Sequence, residues 1–471
     1  MTRADLWPYQ QSAVAAAVSN AACGDGLALF LEPGDGKTVT TLTALADSSS
    51  FPALVVAPAQ VVAADVWGKE AAAWEHLCGI RVWPLTGSPV RRTAQLRGDA
   101  DVYVVSYENL LWLTEETDLR RFRAIVFDEL SKMKAPGTRR FRRLRTRAAG
   151  IPVRLGLTGT PVGNHLLDLW GELFMVAGEA PLGPTFSDFK LRYFEPIDYF
   201  ERTWRLKCCP ECVTRERGGR GCKAAWGPGC RCHASALANI RQRIAPFVFQ
   251  RPASVASKSP PVRVRPVVVP MPAKLQRVSE DLMRQLWAEV GPGVELEALQ
   301  ASALAAKLRQ LAGGAAYTGE GDKWVEVHDA KLVALDNLLD ELQGEPALVY
   351  YWFQHERERI AKRLTAAGRR WQHAGEPGAL DAWNRGEVEV LLAHPQSTGF
   401  GLNLQGGGHH VVWFALPWSG EMWRQGNARE ARPGQKAPWV TAHQLLCGPA
   451  DERVAAVLAG KLDVERMILD A

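Results

Sequence analysis

At 471 residues the chain has room for roughly two to four domains, each with its own core. A content of 47% hydrophobic and 23% charged residues is that of a folded soluble protein; no apolar run approaches the ~18 residues of a membrane span, and the start MTRADLWPYQ lacks the apolar core of a secretory signal, so a cytoplasmic location is expected. A net charge of +5 and a pI of 8.7 permit nucleic-acid binding without demanding it.

In chain order, the first third alternates short aliphatic runs with helix-like segments. LALFL (Leu27 to Leu31), ALVVA (Ala53 to Ala57), VYVVS (Val102 to Ser106), AIVFD (Ala124 to Asp128) and RLGLT (Arg154 to Thr158) are apolar at successive positions, which predicts buried strands of a parallel sheet. RRFRRLRTR (Arg139 to Arg147) reads equally as a solvated helix face and as a phosphate-contacting one. The strand rhythm resumes after about residue 325 in ALVYYW (Ala347 to Trp352), VEVLLA (Val388 to Ala393), VVWFA (Val411 to Ala415) and WVTAHQLL (Trp439 to Leu446). Two α/β domains are therefore expected. Between them lie a cysteine cluster, a segment rich in Pro, Ser and Val (Arg251 to Pro272) that reads as linker or accessory subdomain, and a helical stretch from about Ala273 to Leu311. The expected division is an N-terminal α/β domain over 1–200, a Cys-rich insertion over 201–240, a linker and helical segment over 241–324, and a C-terminal α/β domain over 325–471.

LEPGDGKT (Leu31 to Thr38) almost matches the phosphate-binding loop G-x-x-x-x-G-K-[ST], with Leu31 where the first glycine stands. Gly34 and Gly36 let the backbone curl so that its N–H groups point inward, and the helix that follows presents the positive end of its dipole. Lys37 would neutralise phosphate charge and the Thr38 hydroxyl would ligate Mg²⁺. AIVFDELSK supplies the partner: an apolar strand ends in Asp128-Glu129, where open α/β sheets bind ligands. Asp128 would hold the metal, and Glu129 would orient and deprotonate the attacking water.

The order of these motifs resembles the Swi/Snf-type ATPases of helicase superfamily two, the DEAD/DEAH-box-like group, particularly its compact phage and bacterial forms. The fold implied is α/β, two RecA-like parallel-sheet domains flanking a nucleotide cleft, in a bacterium or a phage-infected host cell. LWPYQ looks like that family's adenine-reading element, with Gln10 bonding the base's edge. VVAPAQV (Val55 to Val61) and VSYENL (Val105 to Leu110) resemble its nucleic-acid-strand motifs, and LTGTP (Leu157 to Pro161), with Thr158 and Thr160, the coupling element. STGFGLNLQGG (Ser397 to Gly407) and RQGNAREARPGQK (Arg424 to Lys436) resemble the motifs of the second domain. Gln425, Arg429, Arg432 and Gln435 stand at the family's spacing, and Arg429 and Arg432, three apart, are expected on one helix face reaching across the cleft to the γ-phosphate. The implied catalytic set is Lys37, Asp128, Glu129, Arg429 and Arg432; the cofactor-binding set is Gln10, Gly34, Asp35, Gly36, Lys37, Thr38 and position 39, which is Val39. Two departures stand out: Ser131 replaces the histidine of the D-E-A-H box, and Asp35 lies inside the phosphate loop, its carboxylate expected to point away from phosphate.

Six of nine cysteines fall between Cys208 and Cys232. Cys209-Pro-Glu-Cys212 is a C-x2-C knuckle that Cys230 and Cys232 can complete as a tetrahedral thiolate site, with Cys208 and Cys222 as alternative ligands, His233 beside them and a second ion conceivable. Structural Zn²⁺ is expected there, supplying the folding energy of a Gly-rich loop. Arg215, Arg217, Arg220 and Lys223 make the insertion a candidate DNA-backbone contact.

These observations predict an ATP-driven motor using ATP and Mg²⁺. The family implies duplex DNA as track and translocation rather than strand separation, with RNA as the alternative polymer and a partner protein as the possible source of targeting. The competing readings are a zinc-containing nucleic-acid adaptor with a vestigial ATP site, against which five intact catalytic residues speak, and a nuclease carrying a motor, for which no carboxylate-lysine cluster is present.

Overall fold

The computed structural model describes residues 1–159, 161, 165–196, 204–207, 231–252, 255, 258–289, 297–318, 323–396 and 403–469. The chain divides into two compact units, Met1–Ala256 with Asp463–Ala471, and Ser257–Leu462. Among the described residues no helix is long and apolar enough to cross a membrane.

The first unit is built on a seven-stranded parallel sheet. Its strands are β1 (Leu27–Phe30), β2 (Ala53–Ala57), β3 (Val82–Pro84), β4 (Val102–Ser106), β5 (Ala124–Asp128), β6 (Val153–Thr158) and β7 (Val248–Gln250), in the order β3-β4-β2-β5-β6-β1-β7. Consecutive residues such as Leu54 and Val55, or Ile125 and Val126, are all fully buried, so both faces of the central strands are covered. On one face Leu54, Val56, Ile125 and Phe127 pack with Leu113, Phe141, Leu144, Trp170 and Leu173. Each such side chain contributes about 1.5–3 kcal/mol.

Parallel pairing puts the C-terminal ends of β1, β5 and β6 at one edge, with only β6 between the other two. Helix α1 (Pro8–Cys23) starts from a proline in its first turn and stops at Gly24 in the left-handed conformation. Helix α2 (Lys37–Asp47) follows the phosphate loop; its threonines Thr40, Thr41 and Thr43 return their hydroxyls to the carbonyls of Gly36, Lys37 and Val39, so four-residue spacing absorbs polar groups that are otherwise buried.

The second unit holds a six-stranded parallel sheet of β8 (Val262–Val269), β9 (Ala347–Tyr350), β10 (Trp371–His373), β11 (Val390–Ala393), β12 (His410–Trp413) and β13 (Val440–Cys447), ordered β8-β13-β12-β9-β11-β10. Val349, Val390 and Val412 meet Leu335, Leu338, Ile360 and Leu364 on one face, while Tyr350, Leu391 and Trp413 meet Trp383, Leu404 and Trp423 on the other.

The segment read as linker, Arg251 to Pro272, instead contains β8, which pairs over eight residues with β13. Its alternating arginines and Pro266 hid it: as an edge strand it tolerates polar residues and a missing N–H. The helical stretch after it comprises Ala273–Glu289 and Glu297–Gly313.

Candidate functional site

The phosphate loop leaves β1 and turns through two glycines with positive φ, Gly34 (94°) and Gly36 (73°). A Cβ at Gly36 would stand 2.2 Å from Gln10 Nε2, so close passage as well as backbone angle requires glycine there. Lys37 opens α2, and its Nζ donates to the carbonyls of Leu31 (2.8 Å) and Glu32 (3.1 Å). Thr38 is half-exposed in the first turn. Val39 is 1% exposed and carries no hydroxyl, so position 39 offers a nucleotide only its backbone.

Gln10 is drawn into the loop. Its Nε2 donates to the Asp35 carbonyl at 3.0 Å, its Oε1 accepts from Trp7 N at 2.8 Å, and Tyr9 Oη donates to the same Asp35 carbonyl. Asp35 turns inward as well: it is 1% exposed, accepts from Glu32 N at 3.1 Å and pairs with Arg251 Nε at 3.3 Å. Burial raises its pKa and the Arg251 guanidinium opposes the rise. Arg251, just past β7, therefore braces the loop from a distant part of the chain, which sequence spacing did not disclose.

At the end of β5, Asp128 Oδ2 accepts from the Trp67 indole at 3.0 Å. Burial raises the Asp128 pKa, while the Trp67 hydrogen bond and then the charge of Lys37 pull it back, so Lys37 and Asp128 share one electrostatic environment. Glu129 is held at φ 64° and ψ 63°, left-handed for a side-chain-bearing residue, at about 1–2 kcal/mol. Tyr107, from VSYENL, fixes this turn by donating to the carbonyls of Asp128 (3.0 Å) and Glu129 (3.2 Å). Ser131, where the histidine was expected, is 2% exposed and places its hydroxyl 3.4 Å from Glu129 Oε1.

The coupling element packs on the same edge. Thr158 is fully buried at the end of β6, its carbonyl accepting from Leu31 N at 3.1 Å, and a Cβ on Gly159 would lie 2.9 Å from Pro33 Cδ. Thr160 lies outside the described residues. Trp67, which bonds the Asp128 carboxylate, carries no local signature that would have marked it, whereas Tyr107 falls inside VSYENL, a motif the resemblance pointed to for strand contact and not for steadying this turn.

In the second unit, helix α3 (Gly420–Asn427) ends before the two arginines. Arg429 and Arg432 sit in the turn that follows, not on a helix face. The cause is local: Pro433 disfavours helical backbone at Arg432, Gly434 takes φ 95°, and the Asn427 side chain accepts from the Trp413 indole at 2.9 Å. Leu404 N donates to the Arg429 carbonyl, and Arg432 donates to Asn403 Oδ1 and, at 2.7 Å, to the Ala428 carbonyl. Burial, then the charge of Arg429, pushes the Arg432 guanidinium down to about 9. Gln425 Nε2 donates to Glu421 at 3.3 Å, and Gln435 Nε2 to the Gly408 carbonyl at 2.7 Å. Asn403 to Gly407 of the STGFGLNLQGG motif are described; Ser397 to Leu402 lie outside the described residues. So do Cys208, Cys209, Cys212, Cys222 and Cys230, together with the side chains of Cys232 and His233.

Residues 9–281 match the family described as SNF2-related domain. The chain belongs to that family. It is a Swi/Snf-type member of helicase superfamily two and, by that membership, a nucleic-acid-dependent ATPase. It is 32% identical over 458 residues to protein p41 of Acyrthosiphon pisum secondary endosymbiont phage 1, covering 93% of each chain. It is 24% identical over 440 residues to the ISWI chromatin-remodeling complex ATPase CHR17 of Arabidopsis thaliana, covering 86% of this SNF2 chain and 37% of the plant protein. A solved SWI2/SNF2 ATPase core from Sulfolobus solfataricus, in complex with dsDNA, is 18% identical with a TM-score of 0.44, covering 99% of this chain and 93% of that one.

Proposed function

We propose that this SNF2 chain couples Mg·ATP hydrolysis to translocation along duplex DNA. The observation that supports the reading most is the common edge of β1, β6 and β5, where the Lys37 loop, Thr158 and the Asp128-Glu129 turn emerge side by side. In it, Lys37 gives up its two carbonyl partners for β- and γ-phosphate oxygens, and the N–H groups of the loop orient the same phosphates. Thr38 and Asp128 fit Mg²⁺: one is a half-exposed hydroxyl at the start of a helix, the other a carboxylate at a strand end beside a lysine. When bound, the ion neutralises charge between the phosphates. Glu129 accepts the proton of the attacking water, its strained turn and Ser131 holding the carboxylate in place. Arg429 and Arg432 are assigned to the charge that builds on the γ-phosphate during transfer.

The duplex track is the reading for a family that includes a chromatin-remodeling complex ATPase. The Arg139–Arg147 helix suits it: Phe141 and Leu144 are buried beneath it, Arg139, Arg142, Arg143, Arg145 and Arg147 are exposed, and none of the five pairs with a carboxylate among the described residues. Structural zinc held by Cys209, Cys212, Cys230 and Cys232 completes the proposal.

The test measures ATP turnover without polymer and with duplex DNA, single-stranded DNA and RNA, alongside ATP-driven displacement of a third strand from a duplex. Duplex DNA is expected to stimulate most and the third strand to be released only with ATP. Stimulation by RNA alone would transfer the reading to an RNA-directed helicase; indifference to every polymer would end the motor reading.

A further inference from the structure

The sheet of the second unit gathers imidazoles at its N-terminal edge, away from the C-terminal edge where open α/β sheets bind their ligands. Glu345 stands two residues ahead of β9, His409 and His410 mark the entry to β12, and His443 lies on the neighbouring β13. In register, His410 pairs with Thr441 and Val412 with His443, so His410 and His443 lie diagonally across adjacent parallel strands. The Glu345 carboxylate oxygen Oε2 is 2.8 Å from His410 Nε2 and 3.5 Å from His409 Nε2. One donor atom from each of these three residues lies within 4.8 Å of the others.

We propose that Glu345, His409 and His410 form a binding site for a borderline divalent transition ion, zinc foremost, with His443 as its outer support. Ligands held about 2.0–2.2 Å from a tetrahedral zinc stand roughly 3–3.5 Å from one another, close to the spacing already present. Two imidazoles and one carboxylate suit zinc and its neighbours in the transition series, whereas Mg²⁺ and Ca²⁺ call for oxygen-rich shells. Three protein ligands leave a fourth position for water.

The support behind the site is what separates it from a chance surface cluster. His443 is 1% exposed, and its Nε2 faces His410 Nδ1 at 3.1 Å. A ligating imidazole typically donates its second N–H to such a partner, which fixes its ring and its tautomer. Without an ion, the proton order runs from His443 Nε2 to His410 Nδ1 and from His410 Nε2 to Glu345. With an ion on His410 Nε2, the His410–His443 bond reverses and Nδ1–H donates to His443 Nε2. Such reversal moves the remaining His443 proton to Nδ1, which has no partner among the described residues and moderates the affinity. Arg265, opposite His443 on β8, is engaged by Glu341 at 3.2 Å. An ion here would join the approach to β9 with the entry to β12, a clamp on the sheet separate from the residues assigned to ATP.

The cysteine insertion requires a difference measurement. Zinc per chain and zinc affinity are measured on the full-length parent, Glu345→Gln and His409→Gln; Glu345 and His409 are partly exposed, so both variants are expected to fold. The parent should hold one ion more than either variant, added zinc should raise its melting temperature, and that rise should vanish in both variants while ATP turnover is unchanged. His443→Phe should weaken binding about 10–100-fold, as loss of an outer-shell partner does. Equal stoichiometry and affinity in the parent and the folded variants would overturn the site. Should a variant unfold, the metal-free parent decides alone: titrated with Co²⁺, it should take up one equivalent that gives a visible absorption band without thiolate charge transfer, apart from any equivalent bound by the cysteine insertion and reversible by zinc, and a parent showing no such equivalent has no such site.

Discussion

In the first unit Lys37 is spread over two main-chain carbonyls, whereas in the second unit burial, then the charge of Arg429, pushes the Arg432 guanidinium down to about 9. The contrast separates two jobs. A lysine already resting on weak acceptors exchanges them readily for phosphate, which suits ground-state binding. On the proposed reading, a guanidinium disfavoured by burial and by a second arginine gains most when negative charge grows beside it, which suits the transition state. Binding and rate should therefore respond to different substitutions.

The strongest way to break this contrast is to remove an arginine. Arg432→Ala or Arg429→Ala should lower kcat by about 10³–10⁵ with only a small change in ATP affinity, measured by steady-state turnover beside nucleotide titration. A matching loss of affinity would erase the distinction. Gly36→Ala comes next: positive φ and a Cβ 2.2 Å from Gln10 must be accommodated together, and strain of about 1–3 kcal/mol should weaken ATP binding roughly 5–150-fold while leaving the arginine turn untouched.

Trp67→Phe should sharpen the picture through pH. On the proposed reading Asp128 must be ionised to serve the metal; its pKa is raised by burial, and the indole N–H is a group that pulls it down. Removing that N–H raises the pKa further, so the acid limb of the turnover profile should move to higher pH; a limb that stays put or moves lower contradicts the role given to Trp67. The smallest effect concerns Glu430, fully buried beside the arginines with neither carboxylate oxygen partnered among the described residues. Burial raises its pKa well above 4.5, so the stability it allows is full below about 4.5 and is lost as pH rises toward the raised value. Glu430→Gln should flatten that decline in melting temperature without altering stability at acid pH.

What the sequence disclosed follows the same physics. Strands buried on both faces, such as Ala53–Ala57 and the Ala124–Phe127 run that leads into Asp128, are apolar and so legible, whereas Val82–Pro84 and Val248–Gln250 have only three residues each, none fully buried, and the edge strand Val262–Val269 carries two arginines, a proline and exposed positions that read as linker. The placement of the Lys37 loop and of the Asp128-Glu129 turn was legible because each follows an apolar buried strand. Trp67 and Arg251 were not, because they reach Asp128 and Asp35 from distant parts of the chain and nothing local sets them apart from other aromatics or arginines; Tyr107 was marked by VSYENL, but its bonds to the Asp128 and Glu129 carbonyls were not. The spacing of Arg429 and Arg432 was visible, but Pro433 and Gly434 convert the expected helix face into a turn.

The central claim is that the turn after β5 activates water for a triphosphate held by the loop after β1. Its most direct test is single-turnover ATP hydrolysis by the parent and Glu129→Gln in the presence of duplex DNA, with ATP binding measured on the same samples. The account predicts unchanged binding and hydrolysis slowed by at least about 10²-fold; a variant that cleaves ATP at the parent's rate would contradict it.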